Sequence, residues 1–235
     1  AEQPHLGSAH VGQLGHGLAS THKLRGLLGD SAKAVMGEAA PWQTAAANGA
    51  HAVALYPSVL GDVVVPRALW LAPTSQALPA GPALQPEIWL WSDVMSGVTL
   101  LSQAVFEAFV PQMLNYESVD GVNFKKGCYP GQEVVARSQF RGTLKRRAYL
   151  VSSSWPLQAG QEVFDGSSPA ISPAEGEEAG NTRQPVGQVA QSAHHSVHGD
   201  WALVCLQTSA AEAVLKVDDA VLKLHPLPYA LREDI

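Results

Sequence analysis

The sequence predicts an α+β chain: a mixed domain over residues 24–141, then a small β-barrel over 142–235. Two observations carry this reading. Strand-like and helix-like runs alternate up to about residue 141, and after Gly142 the texture changes to six short apolar runs at barrel spacing.

Residues 1–23 are rich in Gly, Ala and His and show no period, so they read as a poorly ordered lead-in. From Leu24 the pattern is globular, and Asp30 is placed to cap a short helix running through Glu38. AVALYP (52–57) and DVVVPRALWLA (62–72) read as strands, with Pro66 marking a sheet edge or a bulge. The proline-rich stretch 73–86 is a connection. Pro86 then opens a helix carrying Ile88, Trp89, Trp91, Val94 and Met95, which stops near Gly97. Ser102 is placed to cap a second helix with Val105, Phe106 and Phe109 on one side, ended by Pro111. Pro130 fits the first turn of a third helix, with Gly142 just beyond its end.

The barrel strands are read at 143–153, 161–164, 185–192, 199–207, 213–217 and 220–227. Between the second and third, residues 166–184 form a Ser/Pro/Gly-rich acidic loop, expected to be mobile.

The chain has 235 residues, 46% of them hydrophobic, which is enough apolar material for a packed core and excludes global disorder. No run approaches the roughly 18 apolar residues of a membrane helix, so no membrane partner is expected. The opening AEQPHLGSAH has no apolar signal region. Two cysteines, Cys128 and Cys205, make no disulfide scaffold and fit a reducing, cytoplasmic protein.

The net charge of −6 argues against indiscriminate nucleic-acid binding, yet it is unevenly spread. Lys125, Lys126, Arg137, Arg141, Lys145, Arg146 and Arg147 lie in one window whose single acid is Glu133, which leaves it at +6 and the remainder at −12. An anionic ligand is expected to approach it, although a solvated strand face plus a helix end gives the same pattern.

Cys128 is the most chemically suggestive residue. With Pro130 opening a helix, the thiol stands just outside a helix N-terminus, beside Lys125 and Lys126. Free N–H groups, the helix dipole and two ammonium groups all favour the thiolate, the form that acts as nucleophile, redox group or metal ligand. A small inert buried residue fits the same position, and on residues alone both readings stand. Gly127 and Gly131 let the backbone turn tightly and a ligand come close. Gln132 and Glu133 fall in the first helical turn, where a carboxylate either caps the helix or orients a substrate, and Arg137 is the i,i+4 partner of Glu133. Cys205, inside WALVCLQ, reads as core. His194, His195 and His198 are spaced like metal ligands but sit in an expected hairpin loop, and no metal site is assigned there.

The segment from Phe109 to Arg147 resembles the YgfZ family of folate-binding proteins. The likeness centres on Lys126, Gly127, Cys128, Tyr129, Gly131, Gln132 and Glu133, the K-G-C-Y-x-G-Q-E pattern. A fainter likeness extends over residues 24–231. The family is related to the aminomethyltransferase, or T-protein, of the glycine cleavage system. That protein carries a similar K-G-D-F-x-G stretch, and the cysteine here in place of its acid speaks against a glycine-cleavage enzyme.

The resemblance implies a tetrahydrofolate-binding, aminomethyltransferase-like α+β domain, N-terminally incomplete, followed by the barrel. It implies an accessory factor for iron–sulfur cluster assembly or repair, whose clients are iron–sulfur proteins such as tRNA-modifying enzymes. Cys128 and Lys126 would carry the chemistry, and Tyr129, Gln132, Glu133 and Arg137 would shape the folate pocket. Arg141, Lys145, Arg146 and Arg147 would form a surface for an anion or for tRNA. Two other readings are weighed beside it: a folate-dependent one-carbon transferase, and a non-catalytic RNA- or protein-binding module using the basic window.

Overall fold

A computed structural model of the chain describes residues 9–10, 20–123, 126–127, 133–135, 144–167 and 184–232. The chain divides into two compact units, residues 1–96 and 97–235.

The first unit is a five-stranded antiparallel sheet with two helices. Its elements are β1 (Ala9–His10), β2 (His22–Leu28), α1 (Asp30–Met36), β3 (Thr44–Ala47), β4 (Ala50–Leu60), β5 (Val63–Pro73) and α2 (Pro86–Met95). The strand order is β1-β2-β5-β4-β3. Ala9 and His10, within the stretch expected to be a lead-in, pair with Gly26 and Arg25.

Alternation along β5 sorts the side chains onto two faces. Ala68, Trp70 and Ala72 join Leu27, Ala50, Ala52 and the α1 residue Ala32 in one cluster. On the opposite face Leu28 packs with Leu84 and the α2 residue Trp89, flanked by Val65 and Leu69. Gly26 is explained by that helix. A Cβ at this position would lie 2.6 Å from a ring carbon of Trp89, so only glycine lets the indole lie against the strand.

Both strands around Pro66 form as expected, and β5 is an interior strand rather than an edge. The proline is accommodated by a break in the β4–β5 register between Leu55 and Ser58, opposite Arg67 and Val65. Its carbonyl receives the N–H of Gly29 at 2.9 Å. The α1 helix starts at Asp30 and ends at Met36, with Gly29 at φ 57° in the N-cap position; Asp30 is its first helical residue, not its cap. The α2 helix opens at Pro86 as expected.

The second unit holds a closed barrel of β6 (Arg146–Ser153), β7 (Glu162–Asp165), β8 (Gly187–His195), β9 (Gly199–Gln207), β10 (Leu215–Val217) and β11 (Ala220–His225), in the order β10-β11-β6-β9-β8-β7. All six strands read from the sequence are present. The β7–β10 pairing closes the ring, so no edge is left open. Val151, Val163, Val189, Val204, Leu206 and Leu215 fill it, all fully buried, and each contributes about 1.5–3 kcal/mol of apolar burial.

The segment before the barrel departs from expectation. The helix predicted from Ser102 is a single 3-10 turn over Gln103–Val105. Phe106 leaves helical space at ψ 130°, and Glu107 takes φ 59°, so the chain cannot propagate a helix toward Pro111. Among the described residues no helix is long and apolar enough to cross a membrane.

Candidate functional site

The K-G-C-Y-x-G-Q-E segment is described in part. Lys126 and Gly127 are exposed, and Glu133–Val135 form a helical turn with Glu133 and Val134 exposed. Cys128, Tyr129, Gln132, Arg137 and Arg141 lie outside the described residues, as do Lys125 and Pro130.

The reversal that holds its helical turn, residues 111–118, lies among the described residues. Pro111 opens a 3-10 turn, Pro111–Leu114, which Asn115 ends in the left-handed region at φ 60° and ψ 22°. That tight reversal points Gln112 inward, where it is fully buried. Its Nε2 donates to the carbonyl of Val135 at 2.7 Å, tethering the motif's helical turn to the 3-10 turn. Gln112 Oε1 is buried and receives no hydrogen bond.

Asn115 and Glu117 anchor the same reversal to β6. Asn115 Nδ2 donates to the Ala148 carbonyl at 2.8 Å. Arg147 Nη1 donates to Glu117 Oε1 at 2.9 Å and to Asn115 Oδ1 at 3.3 Å, while its Nη2 donates to the Arg232 carbonyl at 2.9 Å. Ser118 Oγ donates to the same Glu117 oxygen at 2.8 Å. The Glu117 side chain is 1% exposed and that of Arg147 12%, so this is an internal ion pair. Glu117 Oε2, like Gln112 Oε1, is a buried acceptor left without a donor. Nearby, Tyr116 donates its hydroxyl to the Thr99 carbonyl, and burial raises its phenol pKa.

The residues expected to form an anion surface therefore separate. Arg147 is turned inward and gives its charge to Glu117. Arg146 is half-buried, donates to the Val186 carbonyl at 3.4 Å, and lines a cavity of about 290 Å³ with Phe109, Met113, Glu162 and Gln188. Lys145 is exposed, and Arg141 lies outside the described residues.

Cys205 is core, as read from the sequence. It is 1% exposed on β9. Burial pushes its thiol up to about 11, against the opposing effect of Arg146, so it stays protonated at neutral pH and is no nucleophile. Among the described residues no group of three His, Cys, Asp or Glu side chains is arranged to hold a metal.

Sequence reasoning missed Gln112, Asn115 and Glu117. Their one signal is polar residues of large volume in PQMLNYES, just ahead of the motif, where a solvated loop is the simpler reading. It also missed the buried pair of Arg67 and Asp93 in the first unit. That pair was legible as a lone cation in VVVPRALWLA and a lone acid in WLWSDVM, each inside an apolar run.

No protein-family profile matches the chain. The tRNA-modifying protein YgfZ of Yersinia enterocolitica is 34% identical over 150 residues, covering 62% of this chain and 42% of the relative. YgfZ of Yersinia pestis (strain Pestoides F) is 34% identical over 154 residues, with the same coverages of 62% and 42%. The chain thus spans about two-fifths of the length of these relatives. Among solved structures, the glycine cleavage system aminomethyltransferase T of Bartonella henselae is similar over 89% of this chain and 60% of its own. Its TM-score is 0.47 and its sequence identity 15%. Over the matched residues the chain is a relative of the tRNA-modifying protein YgfZ.

Proposed function

We propose that the chain binds tetrahydrofolate and supports tRNA modification by maintaining iron–sulfur proteins, with Cys128 as the working thiol. The observation that carries the reading is the K-G-C-Y-x-G-Q-E segment itself, Lys126 to Glu133, in a chain 34% identical to proteins named for tRNA modification. The cysteine stands beside Lys125 and Lys126, which favour its thiolate.

The described residues fit a folate in chemistry. A pterin ring offers N–H donors, and Gln112 Oε1 and Glu117 Oε2 are buried acceptors without donors. The glutamate tail of a folate is anionic, and Lys126 and Lys145 are exposed cations. Tyr129, Gln132, Glu133 and Arg137 would complete the pocket. Folate, when bound, supplies a one-carbon carrier. The chain's own residues would orient it, with Gln112 holding the motif's helical turn in place. Arg147 is committed to Glu117, so a tRNA-facing surface would rest on Arg141, Lys145 and Arg146 alone.

The test is restoration of tRNA modification in a bacterial strain lacking its own YgfZ, read as modified nucleosides by mass spectrometry. The wild-type chain is expected to restore them and Cys128→Ser to fail at equal protein level. Restoration by Cys128→Ser, or by neither protein, contradicts the proposal.

A further inference from the structure

The turn joining β8 to β9 is built around one imidazole acting as a hydrogen-bond acceptor. His195 Nδ1 accepts from the backbone N–H of Val197 at 3.0 Å and of His198 at 3.3 Å. Two N–H groups aimed at one ring nitrogen leave no room for a proton there, so the closed turn requires neutral His195 with its proton on Nε2. The surroundings reinforce this. The His198 ring lies 4.6 Å from that of His195, centroid to centroid. His194, the preceding residue on β8, is held by Asp200 of β9, with Nδ1 and Oδ1 3.0 Å apart. That carboxylate is therefore engaged with His194.

The turn is also linked to the barrel wall. The His198 carbonyl accepts from Trp201 Nε1 at 2.9 Å. Trp201 packs on His225 of β11, centroids 4.5 Å apart, and His225 Nε2 is 2.8 Å from Ser152 Oγ on β6. Lys223, two residues before His225 on the same strand, is a cation acting on His225. Among the described residues, the titratable groups joined to His195 directly or through these contacts are His198, His194 with its partner Asp200, and, by way of Trp201, His225.

We propose that the β8–β9 turn is a proton-sensitive latch: it is closed while His195 is neutral, and uptake of one proton from solvent at Nδ1 releases Ser196–Gly199. The protonated nitrogen then faces two N–H donors, both amides turn to water, and the Trp201–His198 bond loses its anchor. The direction follows from linkage. Burial first, then His198 and His194, lower the His195 pKa below its ordinary 6.5. The open turn therefore takes up the proton before the closed one. The latch is at full strength above 6.5 and is lost as pH falls through the lowered value. The same sign holds for His225, lowered by burial and then by Lys223.

Amide hydrogen exchange by NMR on the full chain tests this. Between about pH 8 and about pH 5, the protection factors of the Val197 and His198 amides are expected to fall by roughly tenfold. In His195→Asn the side-chain carbonyl accepts from the same amides at any pH, so protection should stay level. His225→Asn should retain the wild-type response. An unchanged wild-type protection, or an equal loss in His195→Asn, overturns the proposal. Should His195→Asn fail to close the turn at all, the ring 15N shifts of wild-type His195 decide: a proton on Nδ1 at about pH 8 contradicts the latch.

Discussion

Asp93→Ala is expected to destabilise the first unit by about 3–5 kcal/mol, the cost of stranding a buried cation. Arg67 is 4% exposed on β5 and Asp93 4% exposed on α2, and one guanidinium nitrogen bonds the carboxylate directly. The other interactions of Arg67 are weak substitutes: Nη1 to the Tyr56 carbonyl at 3.3 Å, and the guanidinium over the Trp89 ring at 4.8 Å. Burial lowers Arg67 only to about 9, so at neutral pH it stays charged. Against a total stability of roughly 5–15 kcal/mol, such a loss is a large fraction of what keeps the unit folded. Thermal unfolding by circular dichroism reads it. The double variant Arg67→Met with Asp93→Leu should recover most of the loss, because apolar residues of similar volume replace the ions. A single variant within about 1 kcal/mol of wild type would show that the pair is solvated rather than buried.

Arg147→Met is expected to cost the second unit a similar amount, about 3–5 kcal/mol, because it leaves the Glu117 carboxylate buried and unpaired. It also removes the donors to Asn115 Oδ1 and to the Arg232 carbonyl, and with them the tie between β6 and the C-terminal segment. Adding Glu117→Gln to Arg147→Met should recover a large part of the loss, since an amide buries more cheaply than an ion. A double-mutant cycle by urea unfolding measures this coupling. Strict additivity of the two changes would contradict the internal ion pair. If Arg147 were instead a surface cation reading an anion, its replacement would spare stability and abolish binding.

The barrel was legible because each of its strands is a short apolar run between turn residues, a local property. The same holds for α2, announced by Pro86 and its apolar spacing. The predicted helix after Ser102 failed on backbone conformation that composition does not display: Phe106 extended and Glu107 at positive φ. The site divides along the same line. Cys128 and its neighbours stand out in the sequence because their spacing is itself the signal. Gln112, Glu117 and Arg147 acquire meaning only through partners 23 to 32 positions away, across a fold the sequence does not spell out. Arg147 was read as surface because a run of basic residues ordinarily is; its pairing with a buried carboxylate is a tertiary fact.

The central claim, folate binding through the Cys128 segment, is tested most directly by calorimetric titration of tetrahydrofolate into the wild-type chain and into Cys128→Ser, at low and moderate salt. Saturable binding by both chains, weakening modestly with salt, is the expected result; it assigns Cys128 to chemistry and the surrounding residues to recognition. Absence of binding by a wild-type chain that unfolds cooperatively would contradict the account.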